Sequence, residues 1–147
     1  MVNVGSLFVF LLSNINQNLQ VLCHCGVCRK LSGGPYSTNT CIPEQEFKLE
    51  KGIPKEYQFT GGSGNAVTIY FCDICSTLMY SKCANVTNGG FIIVVKTGVL
   101  GDQNALEENQ PVLEIFTRNR VSWVRPLAGA AQAEGSGSSQ YNESAGG

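Results

Sequence analysis

The sequence predicts a single all-β domain that binds zinc. Two observations point there: short runs of β-branched and aromatic residues are divided by glycine, proline and asparagine, and cysteines gather at the spacing of metal ligands. A length of 147 residues suits one domain, and at that size a hydrophobic core forms without metal to nucleate it. Hydrophobic residues at 43% and charged residues at 14% mark a globular chain poor in charge. A formal net charge of −1 gives no basic footprint, so nucleic acid is not an expected partner. No run reaches the roughly 18 apolar residues of a membrane helix, so no membrane partner is expected either.

Gly5 to Leu12 is an apolar run resembling the middle of a signal peptide. Residues 1–20 contain no Lys or Arg and no clear cleavage pattern follows, so the expected structure is a buried strand at the start of the domain. Residues 13–20 are rich in Asn and Gln and read as a loop. Val21 and Leu22 lead into Cys23-His24-Cys25-Gly26-Val27-Cys28, too tight and glycine-interrupted for a regular helix. Residues 29–36 read as a loop opening with a helical turn. Strands are expected at 38–42 and 46–50, with Pro43 between them, and at 57–60 and 66–71 around the turn Gly61 to Asn65. Further strands are expected at 78–81, 91–96, 112–117 and 121–124. The run 91–96 is apolar enough to predict burial on both faces. After Leu127 the chain turns to Ala, Gly, Ser and Gln, the composition of a disordered tail. The expected organisation is an atypical N-terminal segment at 1–20, a zinc-binding domain at 21–127 and a tail at 128–147.

Seven cysteines, an odd number and closely spaced, favour ligation over a disulfide framework and place the protein in a reducing compartment, the cytoplasm. Cys25 and Cys28 form a C-x-x-C pair, as do Cys72 and Cys75, and Cys23 adds a third sulfur on the same side of an extended segment as Cys25. Spacing leaves two assignments open: one closed four-sulfur site, or an open site of Cys23, Cys25 and Cys28 beside a separate half-site of Cys72 and Cys75. His24, the only histidine, is turned away from the side that Cys23 and Cys25 face, and Cys41 and Cys83 read as packed thiols. Arg29 and Lys30, next to the cluster, are candidates to attract a substrate carboxylate, with ordinary surface charge as the competing reading.

The stretch Cys23 to Gly33, then Phe71-Cys72-Asp73-Ile74-Cys75-Ser76-Thr77, Val94 to Leu100 and Phe116 to Trp123 together resemble the glutathione-dependent formaldehyde-activating enzyme and centromere protein V family, the late segments most like its fungal members. The resemblance implies a tent-like fold of short antiparallel sheets. It implies a catalytic zinc on Cys23, Cys25 and Cys28, and a structural zinc using Cys72 and Cys75. It also implies a carbon–sulfur lyase that joins formaldehyde to glutathione, giving S-hydroxymethylglutathione. One departure stands out: the family completes its structural site with an earlier C-x-C pair, and residues 1–22 contain no cysteine. The expectation is that a mispredicted first exon supplies this segment. The function expected is a zinc enzyme acting on a thiol–aldehyde adduct or related small carbonyl. A non-catalytic zinc-binding interaction module and a scaffold recruited to fungal secondary metabolism are the alternatives. The near-neutral charge argues against a chromatin role. Substrate identity and oligomeric state are not read from the sequence.

Overall fold

A computed structural model describes residues 9–12, 19–84, 90–100 and 104–137. In chain order the elements are β1 (Val9–Leu12), β2 (Leu19–Cys23), α1 (Gly26–Ser32), β3 (Ser37–Pro43), β4 (Phe47–Lys51), β5 (Lys55–Thr60) and β6 (Ala66–Phe71), then β7 (Leu78–Ala84), β8 (Phe91–Lys96), α2 (Ala105–Glu108), β9 (Leu113–Ile115) and β10 (Ala131–Gln132). The fold is all-β, as expected: eight strands form one sheet in the order β10-β9-β2-β3-β8-β7-β6-β5, and β1 pairs with β4 in a separate ribbon. From β2 through β5 the neighbours are antiparallel, whereas β2, β9 and β10 run parallel. Parallel neighbours need long connections, so the N-terminal strand of the sheet depends on the last part of the chain.

Register sorts the side chains of the sheet into two sets, because residues paired across strands share a face and alternate along each strand. One face carries Ile42, Ile93, Val95 and Tyr80, all buried, and Phe47 and Leu49 of β4 pack against it. Tyr80 stacks on Tyr70 at 4.5 Å between ring centroids and meets Phe47 at 4.7 Å. Burying each of these side chains contributes about 1.5–3 kcal/mol. The opposite face carries Val21, Asn39 and Lys96 in one row, and Cys41, Val94 and Ser81 in the next. The run 91–96 therefore is not buried on both faces. Ile93 and Val95 enter the core, while Val94 and Lys96 line a cavity, and an apolar cavity wall accounts for the unbroken run as well as burial would.

Three local expectations are corrected. Residues 26–32 form a helix, short but capped at both ends. The Cys25 sulfur accepts the Cys28 amide at 3.3 Å as an N-cap, and Gly33 ends the helix at φ 67°, which glycine adopts without strain. Residues 121–124 form a turn closed by the Val124 amide on the Val121 carbonyl at 3.0 Å, not a strand. The segment from 128, whose composition suggests disorder, contributes β10 and stays hydrogen-bonded to the fold: the Ala133 amide reaches the Glu114 carbonyl and the Phe116 amide reaches that of Gly135, both at 2.8 Å. Residues 138–147 of the expected tail, and residues 1–8 and 13–18 of the expected N-terminal segment, lie outside the described residues.

What draws the C-terminal segment in is a buried carboxylate. Glu114 is fully buried and takes Nε2 of buried His24 at 2.8 Å on one oxygen. Its other oxygen accepts the Leu127 amide at 2.8 Å, Gln132 Nε2 at 2.6 Å and Arg120 Nη2 at 3.2 Å. Burial pushes the Glu114 carboxyl up, but hydrogen bonds from His24, Gln132 and Leu127, with the Arg120 charge, outweigh it and hold the group below its usual range. A carboxyl depressed on folding stabilises the protein above its unfolded pKa, and that stability is lost as pH falls through the folded value. Glu114→Gln should therefore cost about 3 kcal/mol near neutral pH, the lower end for breaking a buried pair. Thermal unfolding of metal-free, reduced protein should show the variant's deficit shrinking below about pH 4.5, near the ordinary glutamate value.

Candidate metal centre and adjoining cavity

The three sulfurs of Cys23, Cys25 and Cys28 lie within 4.8 Å of one another. Each is positioned by a different device. Cys23 ends β2, opposite Ser37 and beside Ile115, so it faces the cavity side of the sheet. Cys25 caps α1, and Cys28 follows on its first turn, brought back over the cap by the helical twist. Zinc with sulfur arms of about 2.3 Å needs sulfurs about 3.8 Å apart in a tetrahedron, so the donor set fits that ion. Three sulfurs leave one tetrahedral position for another ligand.

The thiols do not share their protons equally. Cys25 is held far below the ordinary thiol range by hydrogen bonds from the Cys23 and Cys28 thiols, helped by the Cys28 and Val27 amides, against the opposing effect of burial. Cys23 is pushed up by its hydrogen bonds to the other two sulfurs and by burial. For Cys28, a hydrogen bond from Cys23 pulls downward, but the bond to Cys25 and burial prevail and raise it.

His24 lies between two of these sulfurs yet points to the other face, as alternation predicts. It faces protein rather than solvent: it is fully buried on Glu114, with its ring edge against Tyr36 at 5.9 Å between centroids. Nδ1 of His24 has no hydrogen-bond partner among the described residues. The histidine thus orients the turn from behind.

A cavity of about 200 Å³ opens beside the cluster. Its wall includes Cys23, Cys25 and Cys28, the apolar side chains of Val21, Val67, Val94 and Ile115, and Phe59 and Phe116. Phe116 sits at φ 54°, a left-handed backbone that a bulky residue rarely adopts, and its amide is tied to Gly135. Ionisable groups on the wall beyond the cluster are Cys41, Cys83 and Lys96. Burial pushes the Cys41 thiol up to about 12, with Cys83 adding to it, and burial likewise raises Cys83. Lys96 Nζ donates to Asn39 Oδ1 at 2.8 Å and reaches Ser37 Oγ at 3.5 Å.

The structure brings Cys23, Cys25 and Cys28 together and leaves the other expected residues elsewhere. Cys72 is buried in the core and Cys75 packs against that core, its thiol held down by a 3.1 Å contact with the Thr77 hydroxyl. Among the described residues no third metal-ligating group joins this pair. Arg29 donates to the Asn119 carbonyl at 3.3 Å and Lys30 is exposed, and neither lines the cavity. Lys96, Cys41 and Cys83 are the residues that sequence reasoning missed. The available signal was alternation: a lysine two residues after Val94 shares its face, and the register of β3 and β7 on β8 adds the thiols.

The family model of the glutathione-dependent formaldehyde-activating enzyme matches residues 10–119. No curated protein matches this sequence. Among solved structures, a Rhodobacter sphaeroides protein from a structural genomics programme aligns at TM-score 0.48 and 16% identity, over 71% of this chain and 90% of that one. The matched residues run from inside β1 past β9 and include all seven cysteines and Lys96. By that match the chain belongs to the glutathione-dependent formaldehyde-activating enzyme family.

Proposed function

We propose that the protein is a zinc-dependent carbon–sulfur lyase that joins a thiol to an aldehyde, with glutathione and formaldehyde as the family's model pair. The observation that carries this reading is the convergence of three thiols at the wall of a cavity beside a lysine. Bound zinc, its charge softened by three thiolates, would supply a soft Lewis acid suited to keeping a substrate thiol ionised at neutral pH. Cys23, Cys25 and Cys28 would hold the ion. The apolar wall would keep water from the aldehyde, and Lys96 would set a positive charge beside the thiolate-rich corner. The overall change moves no electrons: the sulfur–carbon bond forms, the carbon–oxygen π bond breaks, and the thiol proton ends on oxygen.

Cys72 and Cys75 belong to a separate half-site in this reading, and the 21–127 region with the segment through 137 forms the working unit. A single ion per chain follows. Elemental analysis of the purified protein should give about one zinc, lost in Cys25→Ser and retained in Cys72→Ser/Cys75→Ser. Two zincs per chain, with the second lost in the double variant, would overturn the half-site assignment. Adduct formation from ¹³C-formaldehyde and a thiol, followed by NMR, should drop to the uncatalysed rate in Cys25→Ser, and an unchanged rate would remove the metal-centred reading.

A further inference from the structure

The cavity says more about the substrate than the family name does. Resting on the thiol-addition reading, we propose that this site takes a small aliphatic thiol rather than glutathione, and that Lys96 holds the oxygen of the adduct as it forms.

The argument begins with what the wall offers. Beside the cluster it presents Val21, Val67, Val94 and Ile115, with Phe59 and Phe116, and the thiols of Cys41 and Cys83, protonated at neutral pH by their burial. These surfaces reward methylene groups at roughly 25 cal/mol per Å² of apolar area removed from water. Glutathione carries carboxylates and an ammonium group. Among the described lining residues no Asp or Glu faces the cavity to meet an ammonium, and Lys96 is the one cation. Burying the remaining charges without partners is costly, so the wall selects against the tripeptide by the same physics that favours an alkyl chain. At about 200 Å³ the cavity is also below the roughly 300–1,000 Å³ typical of sites for larger ligands.

Lys96 is placed for one polar task. Asn39 Oδ1 and Ser37 Oγ fix its ammonium from the β3 side, and among the described residues no carboxylate forms an ion pair with it. A lysine ammonium has three donor hydrogens, and these contacts engage two, leaving one for a ligand. When a thiolate adds to an aldehyde carbon, negative charge grows on the carbonyl oxygen. A preorganised ammonium on this apolar wall stabilises that oxygen more than it stabilises the neutral aldehyde, and then protonates it. The lysine recovers its proton from the one the thiol released, and the balance closes without a further reactant.

The test uses the zinc-loaded full chain with 1-butanethiol and glutathione as probes. Calorimetric titration should show 1-butanethiol binding at least tenfold more tightly. Lys96→Met should leave 1-butanethiol affinity within about threefold while slowing adduct formation with formaldehyde at least a hundredfold, in the range for loss of one charge-stabilising donor. Lys96→Arg, which keeps the charge, should restore part of the rate. Glutathione binding as tightly as 1-butanethiol, or more tightly, would overturn the substrate class while leaving the thiol-addition reading intact. Preferential 1-butanethiol binding with no rate change in Lys96→Met would remove the lysine's role. Binding of neither thiol, with no adduct formed, would sink both this inference and the proposed reaction.

Discussion

A single buried carboxylate ties together the three strands at one edge of this sheet, β2, β9 and β10. An ionised group in a protein interior is tolerated only when its oxygens are fully engaged. Glu114 meets that demand with partners from three places: His24 beside the cysteine turn, Arg120 in the turn after β9, and Leu127 and Gln132 in the C-terminal segment. Satisfying one charge therefore fixes the path of about twenty residues after β9, and it locks the ring that separates Cys23 from Cys25. Arg120 Nη2 also donates to the Gln132 side-chain oxygen Oε1, closing the network on its exposed side. The thiol turn is held from behind by electrostatics and from the side by strand pairing, and the sulfurs are left to face the cavity.

The sheet uses its two faces for different ends, and β8 shows this most plainly. Ile93 and Val95 close the core with Tyr80 and Met79, while Val94 and Lys96, on the same strand, face open space. A face that apolar would ordinarily be covered by a second layer. Here α1, the β5–β6 turn and the C-terminal segment rim it, leaving a concavity with the thiol cluster in its wall. Phe116, on the wall, is one of two non-glycine residues with positive φ among the described residues, the other being Ser76, next to Cys75. Both occur where the chain must turn beside cysteine.

Much of this was legible in the sequence. Strands 66–71 and 91–96 coincide with β6 and β8, because alternating or continuous β-branched runs bounded by turn residues are a local signal. The cysteine cluster was legible for the same reason: its three sulfurs lie within six residues, and local spacing brings them together. What was not legible is what depends on distant pairing. The strand expected at 121–124 has the right residues, but the need to bring Leu127 back onto Glu114 forces a turn. The order found in the glycine-rich segment through 137 comes from partners on β9, not from its own composition. Cys41, Cys83 and Lys96 looked unrelated because the register that gathers them runs through β8, more than fifty residues from Cys41.

Synthesis of the chain from its N-terminus gives this arrangement a temporal side. The turn bearing Cys23, Cys25 and Cys28 needs only a short stretch of polypeptide, whereas β2 acquires its parallel neighbour β9 about ninety residues later, and β10 later still. Non-local parallel pairing is the slow part of folding. A nascent chain thus exposes a thiol trio well before its enclosing vessel exists. Until the last strands dock, those sulfurs lack the apolar wall that flanks them in the folded protein.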